Sequence, residues 1–353
     1  MKFIDKKSVV YQGVAPNVNC CSQALRVFPN GEWVVLFMIG GSNEPDPGNF
    51  IGLCRSTDQG ETWSTLETVL KFPDKACTFT EAIVHKDEIT VFVKVHGGKH
   101  DRWWNYTIHS FDNGHSWGEP KSFALLPRRH IVRNLFRCRN GRWILPYVFW
   151  PDTGNVEASI LDDGTFEHPR VGVFISSDQG KTWERSKEII GQRWAYGNVV
   201  ELSDGRLAML IRADGTGCLW RSESIDHGWT WSKALPTDIP NPGSKFRLFQ
   251  LTDGRVVLLN NPSSQPNFPK SYIYCKRNPL ALWVSDDDMA TWGHKRILTD
   301  FPGMLAYPDG VVDDAEEYVH FAFDYNRHDV IYWGARLPEP QLVNTKKGVD
   351  ESS

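Results

Sequence analysis

The sequence lacks the features that mark membrane proteins, nucleic-acid-binding proteins and disulfide-stabilised secreted proteins. No apolar run is long enough to span a bilayer, and residues 1–7 have no apolar stretch of the kind found in signal peptides. With 39 Lys and Arg against 43 Asp and Glu, the formal net charge of −4 offers no basic surface for nucleic acid. The 7 cysteines are odd in number and include no Cys-x-x-Cys pair, which favours reduced thiols. We therefore expect no membrane or nucleic-acid partner and a cytoplasmic location, although a secreted protein that has lost its leader would look the same.

Metal-binding patterns are missing too. There is no His-Glu-x-x-His motif and no EF-hand loop, and the run Asp286-Asp287-Asp288 lies within a repeated box. We expect no cofactor, while nothing in the sequence rules out a bound Ca²⁺.

The sequence does contain an eight-residue box, Ser-x-Asp-x-Gly-x-Thr-Trp, at five places. In this pattern Asp and Ser accept backbone N–H bonds in a tight turn, Gly supplies a positive φ, and Trp fills the space between neighbouring sheets. Ser116 replaces Thr in the second copy, and Met289 replaces Gly in the fifth. The boxes predict hairpin tips that fix the fold and say little about chemistry; they are residues 56–63, 110–117, 176–183, 224–231 and 285–292.

Asn-Gly and Asp-Gly turns between apolar runs give a second repeated signal. They predict that each unit is a four-stranded antiparallel sheet. Five units carry a box, and a sixth, residues 307–336, ends after three strands. Residues 7–11 can supply the missing strand and close the ring, which removes free sheet edges. The turns are Asn30-Gly31, Asn140-Gly141, Asp204-Gly205 and Asp253-Gly254.

These signals together predict an all-β fold, a six-bladed β-propeller of four-stranded antiparallel sheets closed by an N-terminal strand. Seven blades is the alternative. A repeat with units of this length is typical of propellers, and its spacing leaves no stretch long enough for another domain. We therefore expect residues 1–338 to form a single propeller domain and residues 339–353 to form a polar tail.

The boxes resemble the Asp boxes, or BNR repeats, of the sialidase superfamily. That resemblance implies a site with three Arg that clamp a carboxylate, an Asp acid/base, and a Tyr nucleophile activated by Glu. Tyr307, in Ala-Tyr-Pro-Asp, matches the nucleophile segment, and Arg212, in Ile-Arg-Ala-Asp, matches the second clamping Arg. Two positions depart from the pattern, because Cys21 stands where the first Arg belongs and Tyr196 stands where the activating Glu belongs.

A second resemblance is to propeller polysaccharide lyases that cleave at a uronic acid, such as ulvan lyases and rhamnose–glucuronate lyases. It rests on His109, His130, Tyr196 and Arg212. It implies β-elimination, in which an Arg neutralises the uronate carboxylate while His and Tyr move the protons. We expect Arg212 to neutralise the carboxylate, His130 to be the base, Tyr196 the acid, and His109 to orient or share the proton. Which of the last three is base and which is acid stays open.

Three functions follow from these patterns. The first is a lyase, with an oligosaccharide or polysaccharide that carries a carboxylated sugar as its substrate. The second is a sialidase-like exo-glycoside hydrolase with an altered site, for which Glu44 and Asp46 are the acid candidates. The third is a non-catalytic glycan-binding propeller. Further substrate contacts are expected from His96, Arg247, Arg277, Tyr307 and Arg327.

Overall fold

The computed structural model describes residues 4–97, 103–123, 125–126, 129–150, 169–192, 194–264 and 277–340. Within these ranges 26 strands form six sheets, each of which is one blade of a ring. No helix in this part of the chain is long and apolar enough to cross a membrane. Six blades, rather than seven, are thus confirmed. Of the polar tail, residues 341–353 lie outside the described residues.

In blades one to five, the first strand along the chain lies nearest the axis and the last lies outermost. First strands of neighbouring blades contact one another around the ring, for example those of blades one and two. Blade one contains β2 (Cys20–Val27), β3 (Trp33–Ile39), β4 (Phe50–Ser56) and β5 (Glu67–Leu70), and blade two contains β6 (Ala76–His85), β7 (Glu88–His96), β8 (Trp103–Ser110) and β9 (Lys121–Ser122). Blade three contains β10 (His130–Val132), β11 (Phe136–Arg137), β12 (Trp143–Phe149), β13 (Arg170–Ser176), β14 (Glu184–Arg185) and β15 (Ile189–Ile190).

The second half of the ring is more regular. Blade four contains β16 (Gly197–Glu201), β17 (Leu207–Ile211), β18 (Cys218–Ser224) and β19 (Leu235–Pro240). Blade five contains β20 (Arg247–Gln250), β21 (Val256–Asn260), β22 (Ala281–Ser285) and β23 (His294–Ile297). Blade six contains β24 (Leu305–Val312), β25 (Tyr318–Tyr325), β26 (Asp329–Arg336) and, as its outer strand, β1 (Lys6–Tyr11).

The outer strand of blade six confirms the predicted closure of the ring. β1 pairs antiparallel with β26, from Lys6 opposite Gly334 to Tyr11 opposite Val330. The Asp5 carboxylate, just before β1, accepts a hydrogen bond from Arg296 at 2.9 Å. β1 therefore occupies the outer position of blade six, which has four strands like blades one and five.

The boxes form the hairpin tips between the third and fourth strands of their blades. In the first box Ser56 Oγ accepts the Gly60 N–H at 2.8 Å, and Asp58 Oδ1 accepts the Thr62 N–H at 2.9 Å. Gly60 has a φ of 89°, as predicted for this turn. In the fifth box Met289 adopts the same region with a φ of 62°, so the box geometry survives the loss of Gly.

Strand direction gives the ring two distinct ends. In blade one, β2 begins at Cys20 opposite Ile39, whereas Ser56, which opens the box, pairs with Trp33 at the far end of the sheet. We call the end where innermost strands begin the entry end, and the opposite end the box end. A residue next to a box therefore lies at the box end, and a residue at the start of an innermost strand lies at the entry end.

A buried ion-pair network ties the innermost strands together. Arg26 of β2 binds Glu81 of β6 at 2.5 Å and Asp309 of β24 at 3.0 Å. Arg247 of β20 lies 3.6 Å from the same Asp309 oxygen, and Glu81 also accepts the backbone N–H of Asn134. Although burial favours the neutral acid, Arg26 and Arg247 hold the pKa of Asp309 below its ordinary value. The network joins five of the six blades around the axis.

Candidate functional site

Two tyrosines lie at the entry end, close to the axis. Tyr196 directly precedes β16, and Tyr307 lies in β24 at a bulge. Tyr307 has a φ of 64°, which is uncommon for a bulky side chain and typical of functional sites. Gln23 fixes this backbone by donating to the carbonyl oxygens of Ala306 at 2.9 Å and of Tyr307 at 2.6 Å.

Basic side chains surround both rings. Over Tyr307, the Lys245 Nζ lies 4.0 Å from the ring centroid, and the guanidinium carbons of Arg277 and Arg327 lie at 4.7 and 5.1 Å. Over Tyr196, the distances are 5.2 Å for Arg133, 5.3 Å for Lys245 and 5.5 Å for Arg212. Cations over aromatic faces are attracted by the ring quadrupole. The rings therefore organise the basic cluster, which consists of Arg133, Arg212, Lys245, Arg277 and Arg327.

A carboxylate from blade one meets this cluster beside Tyr307. Glu44 accepts a hydrogen bond from Arg327 at 3.0 Å, and the other arm of that guanidinium donates to Tyr307 Oη at 3.2 Å. Lys94 lies 3.8 Å from the second Glu44 oxygen. Burial, and then the Glu44 charge, raise the pKa of the Cys21 thiol to about 12, so its S–H donates to Glu44 at 3.3 Å. One guanidinium thus holds a phenol and a carboxylate side by side.

The members of the basic cluster differ in how their charge is compensated. Asp214 binds Arg212 through two hydrogen bonds of 2.5 and 2.9 Å, and both side chains are 2% exposed. In the part of the chain that the structure describes, Arg133, Lys245 and Arg277 form no ion pair. No carboxylate oxygen there lies within 4.0 Å of their side-chain nitrogens. Arg133 and Arg277 are buried and Lys245 is half-buried. Buried cations without a close anionic partner are rare, so an anion near these three side chains would be stabilised.

Burial also sets the protonation of the neighbouring groups. It raises the pKa of the Tyr196 phenol well above its ordinary value, with Arg133 and Arg212 opposing the shift. It lowers the pKa of Lys245 well below its ordinary value, and the charge of Arg133 adds to that effect. Tyr196 therefore stays protonated at neutral pH and can donate a hydrogen bond, while an anion that approaches Lys245 would favour its charged form.

The four residues of the lyase arrangement are not brought together. Tyr196 and Arg212 are neighbours, but His109 is the residue before a box and so lies at the box end of β8, where it binds Glu88 at 2.7 Å. His130 is at the entry end, but its ring stacks on Phe149 with centroids 4.7 Å apart. The expected partnership of His109 with Tyr196 is thus absent from the described residues.

Of the five other residues expected to contact the substrate, three lie in the site and two are held in contacts outside it. Tyr307, Arg277 and Arg327 are in the site. Arg247 instead belongs to the buried ion-pair network, and His96 is fully buried with its ring 5.5 Å from Trp103. Of the two acid candidates, Glu44 reaches Arg327, whereas Asp46 accepts the backbone N–H of Gly48 within its own loop.

Lys245 and Arg133 belong to the site, but the sequence patterns did not predict them as site residues. Both lie in segments that enter an innermost strand, and this position is the signal by which they are found. Neither occupies a position that the sialidase or lyase resemblance assigns to a cation. Their importance depends on contacts across the axis, which no local motif reports.

A buried carboxylate, Asp324, gives a stability prediction for this end of the ring. Burial raises its pKa to about 6, and Arg327, Arg277 and Lys245 oppose the shift. Its ionised form therefore costs stability above about pH 6, and that cost fades as the pH falls toward the unfolded value of about 3.9. We expect Asp324→Asn to raise the free energy of unfolding by about 2–3 kcal/mol at pH 8 and to change it little at pH 4.

Urea unfolding at the two pH values measures this difference. Asp300→Asn, at an exposed carboxylate in the loop before blade six, is the matched control and should change little at either pH. A variant that is less stable than the native protein at pH 8 would show that attraction to the three cations outweighs burial.

Comparison with known proteins identifies the family of the chain. Residues 39–321 match the family model described as BNR repeat-like domain. A sialidase of Paraclostridium sordellii is 22% identical over 286 residues, which are 71% of this chain and 67% of that protein. A sialidase of Micromonospora viridifaciens is 24% identical over 327 residues, or 81% of this chain and 48% of that protein. The chain thus spans about two thirds of the first relative and about half of the second.

A solved structure supports the fold. A Hadza microbial sialidase superposes with a TM-score of 0.70 at 16% identity, covering 90% of this chain and 66% of the other. At that identity the likeness concerns the architecture alone. Since the family model matches most of the chain, the protein belongs to the BNR repeat-like family, within the sialidase superfamily of β-propellers.

Proposed function

We propose that this protein is an exo-acting glycoside hydrolase of sialidase type whose substrate is a glycan ending in a carboxylated sugar. The observation that carries the proposal is the shared guanidinium of Arg327, which holds the phenol of Tyr307 and the carboxylate of Glu44. Sialidases use a Tyr nucleophile where most glycosidases use a second carboxylate. The two sialidase relatives support the same assignment.

In the proposed reaction the Glu44 carboxylate takes the proton of the Tyr307 phenol, Oη attacks the anomeric carbon, and the bond to the leaving-group oxygen breaks. Glu44 then gives that proton to the departing oxygen. Water next attacks the glycosyl–tyrosine intermediate, and its proton passes through Glu44 to the departing phenol oxygen, which restores the starting state. Arg327 donates to the phenol oxygen throughout and stabilises negative charge there.

The site departs from the sialidase pattern in how the phenol is activated. Tyr196 stands where the resemblance places an activating Glu, and it stays protonated because burial raises its pKa. Lys245, Arg277 and Arg327 all lie within 5.1 Å of the Tyr307 ring centroid. We assign acceptance of the phenol proton to Glu44 instead, which is bound by the same Arg327 guanidinium as Tyr307 Oη.

An anionic sugar fits the charge of the site. The chain as a whole has a net charge of −4, yet three cations at the entry end have no carboxylate within 4.0 Å among the described residues. A carboxylate on the substrate would compensate them. The lyase function has less support, because His109 is at the box end.

The test is an assay of the protein with methylumbelliferyl glycosides of sialic acid, glucuronic acid, galacturonic acid and galactose. We expect fluorophore release from at least one acidic glycoside and none from the neutral galactoside. Faster hydrolysis of the galactoside would contradict the proposal.

A parallel ultraviolet scan with uronate-containing oligosaccharides separates the alternatives. New absorbance from a double bond conjugated to the carboxylate would restore the lyase function. Binding of an acidic oligosaccharide with no product of either kind would make the protein a glycan-binding propeller.

A further inference from the structure

Two cations from different blades converge on one hydroxyl of blade one. The Lys245 Nζ donates to Ser22 Oγ at 2.9 Å, and Arg133 Nη2 donates to the same oxygen at 3.4 Å. These residues are 223 and 111 positions from Ser22 in the chain. Ser22 is 2% exposed and has a φ of 54°, at the bulge that opens β2. The fold holds a neutral acceptor where the two positive charges meet.

At this point of convergence, which we call the corner, the nearest carboxylates of the described residues act only from a distance: Asp309 on Arg133, and Glu44 and Asp324 on Lys245. Arg133 is 7% exposed, and its buried Nε has no hydrogen-bond partner there. Neither Arg133 nor Lys245 forms an ion pair within 4.0 Å in the same part of the chain. The serine hydroxyl is neutral and offsets neither positive charge, so an anion bound at the corner would act on both cations from closer range than these carboxylates do.

The corner adjoins a small cavity that opens toward the phenol. Its lining includes Arg133, Lys245, Gln23, Tyr196 and Tyr307, and also the carboxylate-bearing Asp309. Ser22 Oγ accepts from both cations and keeps its own hydrogen, which it can donate. An oxyanion at the edge of this cavity would thus receive hydrogen bonds from the Lys245 ammonium and the Arg133 guanidinium, which Ser22 Oγ holds together.

We propose that Ser22, Arg133 and Lys245 form a subsite for an oxyanion substituent of the glycan, either a carboxylate or a sulfate ester. The subsite adjoins the phenol, since Lys245 Nζ is 4.0 Å from the Tyr307 ring centroid. The anion is therefore carried by the sugar next to Tyr307. This inference rests on the proposed function only in taking the ligand to be a glycan.

The subsite also accounts for the absence of a long basic side chain at the start of β2 in blade one. Cys21 and Ser22 are short, so the space in front of them is open to cations that reach in from blades three and five. The anion is held from across the axis and not from the strand that the sialidase resemblance indicates. Specificity for the charged group then depends on Arg133 and Lys245.

The test measures binding without turnover. Melting temperature and ligand affinity are recorded with glucuronate, with glucose 6-sulfate and with neutral glucose at constant ionic strength. We expect the native protein to respond to at least one acidic sugar and not to glucose; the stronger acidic response identifies the group. Lys245→Met and Arg133→Met should each weaken that affinity roughly 10- to 100-fold, as expected for one lost hydrogen bond to a charged group. Lys187→Met, at an exposed lysine in blade three, is the control and should bind as the native protein does.

Ser22→Asp gives a gain-of-stability variant. Its carboxylate would sit between the two cations, and Asp tolerates positive φ better than most residues. We expect a higher melting temperature without ligand and no further rise with either acidic sugar. Ser22→Ala, which adds no charge, should keep the cations free and retain most of the response.

Failures of the two proposals can be told apart. Absence of a native response to both acidic sugars, or unchanged affinity in Lys245→Met and Arg133→Met, would overturn the subsite even if hydrolysis is found. Anion binding that depends on these residues, with no hydrolysis of any glycoside, would keep the subsite and reject the hydrolase.

Discussion

Tyr307→Phe should abolish hydrolysis of the acidic glycosides, with kcat falling at least about 10³-fold. The variant removes the attacking oxygen and leaves the ring, which keeps its contacts with Lys245, Arg277 and Arg327. The lost hydrogen bond, 3.2 Å from Arg327, is a small part of the packing. The melting temperature should therefore stay close to that of the native protein, which separates loss of chemistry from loss of fold.

Tyr325→Phe is the matched control in the same blade. Its hydroxyl donates to the carbonyl oxygen of Pro302 at 3.1 Å on the exposed surface. We expect its kcat to stay within about twofold of the native value, as for a surface change away from the site. If Tyr307→Phe kept more than a tenth of native activity, Tyr307 would not be the nucleophile, and Tyr196 would be the next phenol to replace.

Glu81→Ala should have the largest effect on stability, lowering the free energy of unfolding by about 3–5 kcal/mol. Glu81 is 1% exposed and binds the Arg26 guanidinium at 2.5 Å. It also accepts the backbone N–H groups of Ala82 and Asn134. Its removal leaves Arg26 with Asp309 alone and leaves two buried amides without their acceptor. Urea unfolding followed by tryptophan fluorescence measures the change.

Glu88→Ala tests whether burial is the cause. Glu88 also contacts a side chain of blade two, the His109 ring at 2.7 Å, but its own side chain is 44% exposed. Exposed pairs contribute about 0–1 kcal/mol. Equal losses for Glu81→Ala and Glu88→Ala would mean that the axial network is no more important than a surface pair.

The fold was predictable because its signals are local. A box and an Asn-Gly turn each act within a few residues, so their number and order are visible along the chain. Even the fifth box, where Met289 replaces Gly, keeps its Ser285 hydrogen bond at 3.0 Å. Blade three departs from the pattern, because its first strand is broken between Val132 and Phe136 by a backbone turn in which Asn134 has a φ of 63°.

The site was predictable only in part. Tyr307 and the segment of Arg212 follow from the resemblance, but Asp214, two residues further on, neutralises that Arg. His109 was grouped with Tyr196 although it directly precedes a box, and that neighbour puts it at the other end of the strand. The convergence of Arg133 and Lys245 on Ser22 depends on three blades and leaves no trace in any short motif.

Closure of the ring by β1 and β26 affects how the protein is made. The amide of Gly13, just after β1, donates to a carboxylate 316 positions later, on Asp329. At roughly 5–20 residues per second, a ribosome needs about 15–60 s to travel that distance. During this time β1 has been synthesised but has no partner strand, while blades one to five are already available to fold. The edge of β1 therefore stays unpaired for that whole interval, and an unpaired strand edge is a place where another chain can pair.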